Sequence, residues 1–149
     1  MGNTNTKETV REFVRNNLNG DPDPDAIPRM SRMLLVDKSI TDINVKDSDY
    51  NGWTALQYQA RYGTTGSVAW LLQQDPPPDV NIRDSDQRTP LMNAAYSNED
   101  SEGKVRILLD YGADRDITAY GTTALDKARY SKKPAVMDIL KNYRPDVSR

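Results

Sequence analysis

The chain has 149 residues and a formal net charge of −2, and it contains neither histidine nor cysteine. These values predict one domain and argue against nucleic acid as the main partner, because phosphate binding needs a concentrated basic surface. They exclude disulfides, thiol catalysis and histidine-based catalytic or metal sites. No run of the sequence reaches the length of a membrane span or resembles a signal peptide, so we expect a soluble, cytoplasmic monomer.

Two helices are predicted within the first forty residues. Residues 5–18 place apolar side chains on one helical face, with Asn5 as a candidate N-cap and Gly20 as a stop. After the turn DPDPD, Asp25 can cap a second helix whose apolar face ends before Asp37. Both helices should therefore bury one face against a neighbour.

A helix-start signal then recurs along the chain. The segments GWTALQYQA, RTPLMNAA and GTTALDKAR place threonines 35 and 34 residues apart, at Thr54, Thr89 and Thr123. Each threonine can cap the following helix, and Pro90 suits a first helical position because its missing N–H is not needed there. A second apolar segment follows each start, which predicts second helices at residues 68–72, 105–109 and 136–140.

This period and these motifs resemble the ankyrin repeat, with RTPLMNAA, GTTALDKA, LLDYGAD and NIRDSDQRT matching its pattern from Ile43 to about Tyr143. The resemblance implies an all-α helix-turn-helix solenoid of about four repeats with protruding β-turn fingers. Where the family has histidine after T-P-L, this chain has Gln57, Met92 and Asp126. Because Met92 cannot replace the hydrogen bonds of an imidazole, we expect a weaker central interface.

The resemblance also divides the chain, which we expect to be one ankyrin-repeat domain over residues 1–149. Residues 43–80, 81–115 and 116–149 are the predicted repeats, the last of which is a C-terminal cap. Residues 5–42 lack the motif, and we interpret them as a degenerate capping repeat, because a stack buries each unit only against its neighbours. The alternative is an unrelated helical hairpin packed elsewhere.

Aspartates in the turns give the candidates for chemistry. Asp47 with Asp49 could form a catalytic pair, but Asp84 with Asp86 occupies the equivalent place, where the family uses aspartate to fix turn geometry. We therefore predict a protein that is not an enzyme, with no catalytic residues, no cofactor and no metal.

Calcium is the sharper alternative at the first of these turns. DSDYNG, residues 47–52, matches the first half of a calcium loop, but Tyr58 stands where that loop needs a glutamate. This turn is two residues longer than its counterpart in NIRDSDQRT, and we expect it to project further.

Aromatic and arginine side chains recur where partners of this family bind, on the finger turns and the first helices. Such side chains are enriched in binding hot spots. We predict that a partner protein contacts the residues of this stripe, namely Tyr50, Asn51, Trp53, Arg61, Tyr62, Arg88, Tyr96, Tyr120 and Tyr130. The alternative is that some of them belong to the core, as we expect for Trp70 and Tyr58. For Trp53, the competing interpretation folds the ring back onto its own repeat.

Two further segments have a possible function. MGNTNTK fits the N-myristoylation pattern, with Gly2 as the acceptor, and acylation would make the protein a reversible membrane adaptor. The acidic segment SNEDSEGK, residues 97–104, is two residues longer than its counterparts, and we expect a solvated loop.

The main prediction is a protein–protein interaction module, a scaffold or adaptor that binds its partner through the finger turns and the concave face. The alternatives are an inhibitor of a partner enzyme, a structural component of a larger assembly, or the membrane adaptor.

Overall fold

The computed structural model describes residues 6–15 and 24–145 of the chain. Within these ranges the regular structure is helical, and β-structure is limited to two isolated bridges. The helices are α1 Lys7–Val14, α2 Ala26–Ser31, α3 Ala55–Tyr62, α4 Thr65–Leu72, α5 Pro90–Ala95, α6 Ser101–Asp110, α7 Ala124–Tyr130 and α8 Pro134–Asn142, with a π-helical turn, Arg32–Val36, after α2. The predicted all-α class is confirmed. In the described ranges, no helix has both the length and the apolar composition needed to cross a bilayer.

The N-terminal helices differ from the prediction in how they start. Thr6 is the N-cap of α1, because its hydroxyl oxygen accepts the amide of Thr9 at 3.2 Å, so the choice of Asn5 was wrong. Asp25 precedes α2 but makes no capping hydrogen bond. Its φ of −91° and ψ of 2° differ from the extended backbone that a capping side chain needs. The predicted stop at Gly20 lies outside the described residues.

The recurrent start signals act as predicted. Thr54, Thr89 and Thr123 are the N-caps of α3, α5 and α7, and each hydroxyl accepts the amide of the third residue that follows. Gln57 completes a reciprocal capping box at α3, and Pro90 occupies the first turn of α5. The helix starts are therefore encoded locally, within four residues.

The helices pack in two rows. The first helices α3, α5 and α7 lie side by side, and the second helices α4, α6 and α8 pack behind them in the same order. The N-terminal helices continue both rows, because α1 contacts α3 and α2 contacts α4. Leu91 on the central helix α5 is 1% exposed, whereas the equivalent Leu125 on α7 is only partly buried. Burial is thus deepest in the middle of the stack, where each helix has a neighbour on both sides.

Three turns precede the first helices, and we call residues 47–53 the first turn, 84–88 the second and 119–122 the third. The carboxylates of Asp47 and Asp84 accept amides two residues further on, at 2.9 and 2.8 Å. Isolated antiparallel bridges close the first turn between Asp47 and Trp53, and the third between Ala119 and Thr122. The structural interpretation of these aspartates is confirmed.

Candidate functional site

A groove crosses the first helices α3, α5 and α7. It has a volume of about 580 Å³, and its described lining residues are Trp53, Arg61, Tyr62, Arg88, Met92, Asn93, Tyr96, Thr122, Asp126, Lys127 and Tyr130. Six of the nine predicted partner-binding residues are among them, and the three outside the lining are Tyr50, Asn51 and Tyr120. The structure thus brings most of the predicted stripe together in one cavity.

The helical register explains which lining residues sequence reasoning found and which it missed. Arg61, Tyr96 and Tyr130 each lie seven residues after a capping threonine. Residues four after the threonine share that helical face, and they include the unpredicted Asn93 and Lys127. Because the prediction looked for aromatic and arginine side chains, Asn93 and Lys127 were overlooked although their spacing marked them.

A stacked arginine lies at one end of the groove. The Arg61 guanidinium carbon lies 4.9 Å from the ring centroid of Tyr62 and 4.8 Å from that of Tyr96. Such cation–π contacts are each worth about 0.5 to 1 kcal/mol at partly exposed sites. The backbone is held as well, because the Ser97 hydroxyl donates to the Arg61 carbonyl at 2.7 Å. The guanidinium therefore lies close to two aromatic rings, and its N–H groups form no ion pair with a residue in the described ranges.

The expected outward orientation of Trp53 is wrong. The side chain is 7% exposed, and its Nε1 donates to Oδ2 of Asp84 at 2.8 Å. Asp84 is itself buried, and a desolvated carboxylate is costly unless it accepts hydrogen bonds. Trp53 therefore joins two neighbouring units, although it is also among the residues that line the groove.

The first turn contacts the N-terminal helix. Arg15, at the end of α1, donates to Oδ2 of Asp47 at 2.8 Å, and Arg11 donates to Asp49 at 3.0 Å. Arg15 also lies 4.8 Å from the ring centroid of Tyr50. The turn thus docks the N-terminal helix, and its further projection remains a prediction. Its two aspartates are already paired with arginines, so the geometry gives the calcium alternative no support.

Tyr50 belongs to an aromatic cluster with Trp53, Tyr58 and Tyr62. Its ring meets that of Trp53 edge-on at 5.1 Å between centroids, and its hydroxyl donates to that of Tyr62 at 3.5 Å. Burial, followed by this hydrogen bond, raises the pKa of Tyr50, and burial also raises that of Tyr58. Tyr58 is 2% exposed, which confirms its predicted place in the core. Two members of the cluster, Trp53 and Tyr62, also line the groove, so the cluster forms part of its wall.

The other two predicted residues lie on turns outside the groove. The side-chain amide of Asn51 donates to Oδ2 of Asp86 at 2.8 Å, which joins the first turn to the second. Tyr120, at the tip of the third turn, is 79% exposed. Asn51 therefore has a visible structural role, whereas Tyr120 is freely accessible.

A buried lysine lies behind the groove, at the end of the segment predicted to be a solvated loop. Lys104 is 0% exposed, and its Nζ donates to the Gly63 carbonyl and to the Ser97 hydroxyl, both at 2.8 Å. Burial lowers the pKa of its ammonium to about 7. The prediction of a wholly solvated segment was wrong, because α6 begins at Ser101 and carries Lys104 inward.

The residues that stand in place of the family histidine behave differently from one another. Gln57 accepts the Thr54 amide at 2.9 Å through Oε1 and donates to the Arg88 carbonyl at 3.0 Å through Nε2. Asp126 caps its own helix, with Oδ2 accepting the Thr123 amide at 2.9 Å. Met92 is buried without such bonds. Gln57 alone reproduces the link to the next turn, and the expected weakness of the central interface remains a prediction.

No cluster of three or more acidic side chains suited to a metal ion occurs in the parts of the chain that the structure describes. The candidate lipidation site Gly2 lies outside these parts, so its acylation remains a prediction from the sequence.

The comparison with protein families agrees with this geometry. A model described as ankyrin repeats (3 copies) matches residues 3–114 and 76–149. No curated protein matches the chain significantly. Because the family model covers almost the whole sequence, and because capped helix pairs stack in two rows behind turns, the chain belongs to the ankyrin repeat family.

Proposed function

We propose that this protein is a non-enzymatic interaction module that binds a segment of a partner protein in the groove across α3, α5 and α7. The observation that carries the proposal is the Tyr62–Arg61–Tyr96 stack, which presents aromatic surface and a fixed guanidinium in one cavity. Tyrosine and arginine contribute disproportionately to binding energy when they fill a desolvated interface centre. Arg61 and the two tyrosine rings contact one another before any partner binds, which lowers the entropic cost of ordering them on binding.

The proposal also includes the division of the chain into a capping repeat and three further repeats. Residues 5–42 act as a degenerate capping repeat, and 43–80, 81–115 and 116–149 act as the repeats that build the groove. Support comes from α1 and α2, which continue the two helical rows, and from the Arg15–Asp47 pair that fixes α1 to the first turn. The second and third turns act as fingers at one edge of the groove, with Tyr120 available to a large partner.

Exposed tyrosines on two faces allow a matched test. Tyr96 in the groove is 41% exposed, and Tyr111, which is not among the residues that line it, is 43% exposed. The wild type, Tyr96→Ala and Tyr111→Ala are immobilised and exposed to a lysate of the source cells, and the bound proteins are quantified by mass spectrometry. We expect Tyr96→Ala to lose at least about tenfold of a specific partner and Tyr111→Ala to keep it.

Equal retention of every bound protein by both variants would refute the groove as the binding site. Thermal melts of both variants show whether a loss reflects binding. Since both side chains are partly exposed, we expect both variants to stay folded.

A further inference from the structure

We infer that the groove takes an acidic protein segment in which carboxylate side chains alternate with apolar or aromatic ones. This inference rests on the proposed function and adds the chemistry of the partner. It starts from the charges that line the cavity. Among the described lining residues, the cations are Arg61, Arg88 and Lys127, and the carboxylate is Asp126.

The charge of Asp126 is neutralised from within. Its Oδ1 accepts a hydrogen bond from the Arg129 guanidinium at 2.9 Å, and its Oδ2 accepts the Thr123 amide at 2.9 Å. The hydrogen bond from the Thr123 backbone amide is the largest cause that holds the pKa of this carboxyl below its usual range. Asp126 therefore caps α7 and pairs with Arg129, and it forms no ion pair with the three cations that line the groove.

The cations themselves have few acidic partners. Neither Arg61 nor Lys127 forms an ion pair with a residue in the described ranges. Arg88 lies 3.9 Å from Asp86, and both side chains are nearly half exposed, a geometry that contributes little. The groove therefore presents positive charge that a bound carboxylate can neutralise.

The positive charge of the groove differs from the charge elsewhere on the molecule. The whole chain carries a net charge of −2. A hollow of about 620 Å³ between α6 and α8 is lined by Glu102, Asp110 and Asp138 alongside Arg106 and Arg144. Because potentials add over the surface, an acidic segment is attracted to the groove and gains nothing at this other hollow.

The stacked arginine favours a carboxylate in particular. The Arg61 guanidinium lies near the rings of Tyr62 and Tyr96 and has no ion pair with a described residue, so its N–H groups remain for a planar, two-oxygen acceptor. The rings beside it offer surface to apolar side chains of the same segment. Alternation follows, because the cations Arg61 on α3 and Lys127 on α7 lie on either side of Tyr96, which directly follows α5.

The helix spacing sets the distance between the acids. Arg61 lies on α3 and Lys127 on α7, with α5 between them. Neighbouring helix axes lie about 8 to 10 Å apart, so these cations are separated by roughly 16 to 20 Å. An extended chain advances about 3.3 Å per residue. Two acids that reach both cations are therefore about five or six residues apart in the partner.

The test uses a fluorescein-labelled random copolymer of L-glutamate and L-tyrosine, with binding measured by fluorescence anisotropy. We expect the wild type to bind it, more weakly as salt is raised. Arg61→Glu and Lys127→Glu should each raise Kd at least about tenfold. Arg106→Glu, the same charge change outside the groove, should alter Kd less than about twofold. Two groove variants are used because Arg61 also contacts the rings, whereas a loss at Lys127 has no such structural cause.

Three results would overturn the inference. Equal weakening by Arg106→Glu would show attraction to net charge alone. Tighter binding of an oligodeoxythymidine probe, abolished by Lys127→Glu, would assign the groove to nucleic acid. A concentration-dependent dimer in sedimentation velocity, abolished by Arg61→Glu, would assign it to a second copy of this chain.

Failure of the acidic class is distinguishable from failure of the proposed function. If the copolymer does not bind, but Tyr96→Ala still loses a partner that Arg61→Glu keeps, the groove binds proteins of another chemistry. If neither variant loses a partner, the proposed function itself fails.

Discussion

The buried Lys104 makes the stability of this fold depend on pH. Its ammonium is held by two neutral oxygens, the Gly63 carbonyl and the Ser97 hydroxyl. Burial, the largest cause, lowers its pKa from 10.5 to about 7. Among charged neighbours, Arg61 and Lys133 lower it further, and Asp100 and Glu99 oppose the shift. Because burial removes the ammonium from water, the folded chain loses this proton at a lower pH than the unfolded chain does.

The sign and size of the effect follow from proton linkage. Between pH 7 and pH 10.5 the unfolded chain binds a proton at Lys104 that the folded chain has lost, so stability rises with pH in this window. Below pH 7 both states are protonated and this contribution is flat. One pKa unit corresponds to about 1.4 kcal/mol, and the free energy of unfolding should gain about 2 kcal/mol between pH 7 and pH 9.

Urea unfolding, followed by circular dichroism at pH 6, 7, 8 and 9, measures this gain. Lys104→Met keeps an apolar stem of similar length and removes the titrating group, so its free energy of unfolding should lack the rise. Lys141→Met, at an exposed lysine of α8, should keep the wild-type slope. A wild-type stability that is flat or falls from pH 7 to pH 9, or a Lys104→Met slope equal to the wild type, would refute the reasoning.

Four substitutions test the packing. Trp53→Phe removes the hydrogen bond to the buried Asp84 and should lower the free energy of unfolding by about 1 to 3 kcal/mol; an unchanged urea midpoint would show that this bond contributes nothing. Leu91→Ala in the middle of the stack should cost about 2 to 5 kcal/mol and Leu125→Ala clearly less, as judged by thermal melts, and equally mild effects would contradict the assigned register. Gln57→Met leaves the Thr54 amide and the next turn without their shared partner, and chemical denaturation should show a loss of about 1 to 3 kcal/mol, whereas a neutral result would mean that water replaces the glutamine.

The parts of this fold that could be predicted from the sequence are those decided within a few residues. Thr54, Thr89 and Thr123 start their helices because the cap and the amide it binds lie three residues apart. The same register predicts that Leu91 and Leu125 are buried in equivalent places, but only Leu91 is, because Leu125 lies on α7, the last of the first helices in the stack. The helix starts need no knowledge of what lies across the interface, whereas the depth of burial does.

The features that sequence reasoning missed depend on distant partners. Trp53 turns inward because its acceptor, Asp84, lies 31 residues further along the chain. Lys104 is buried because a carbonyl 41 residues earlier receives its amine. For Lys104 the side chain alone favours the surface, and for Trp53 the indole N–H needs a buried acceptor, so both placements depend on a partner that is distant in the sequence. The candidate site was predicted better at Arg61 and Tyr96, whose place follows from helical spacing.

Photo-crosslinking in the source cells tests the central claim, binding of a protein segment in the groove, most directly. Benzoylphenylalanine is placed at Tyr96, at Tyr130 or, as a control, at Tyr111. The account predicts that irradiation at positions 96 and 130 yields the same covalent adduct with one partner, whose linked peptide carries acids about five or six residues apart. Position 111 should give none of it. An adduct formed at position 111 but absent from 96 and 130 would contradict the claim.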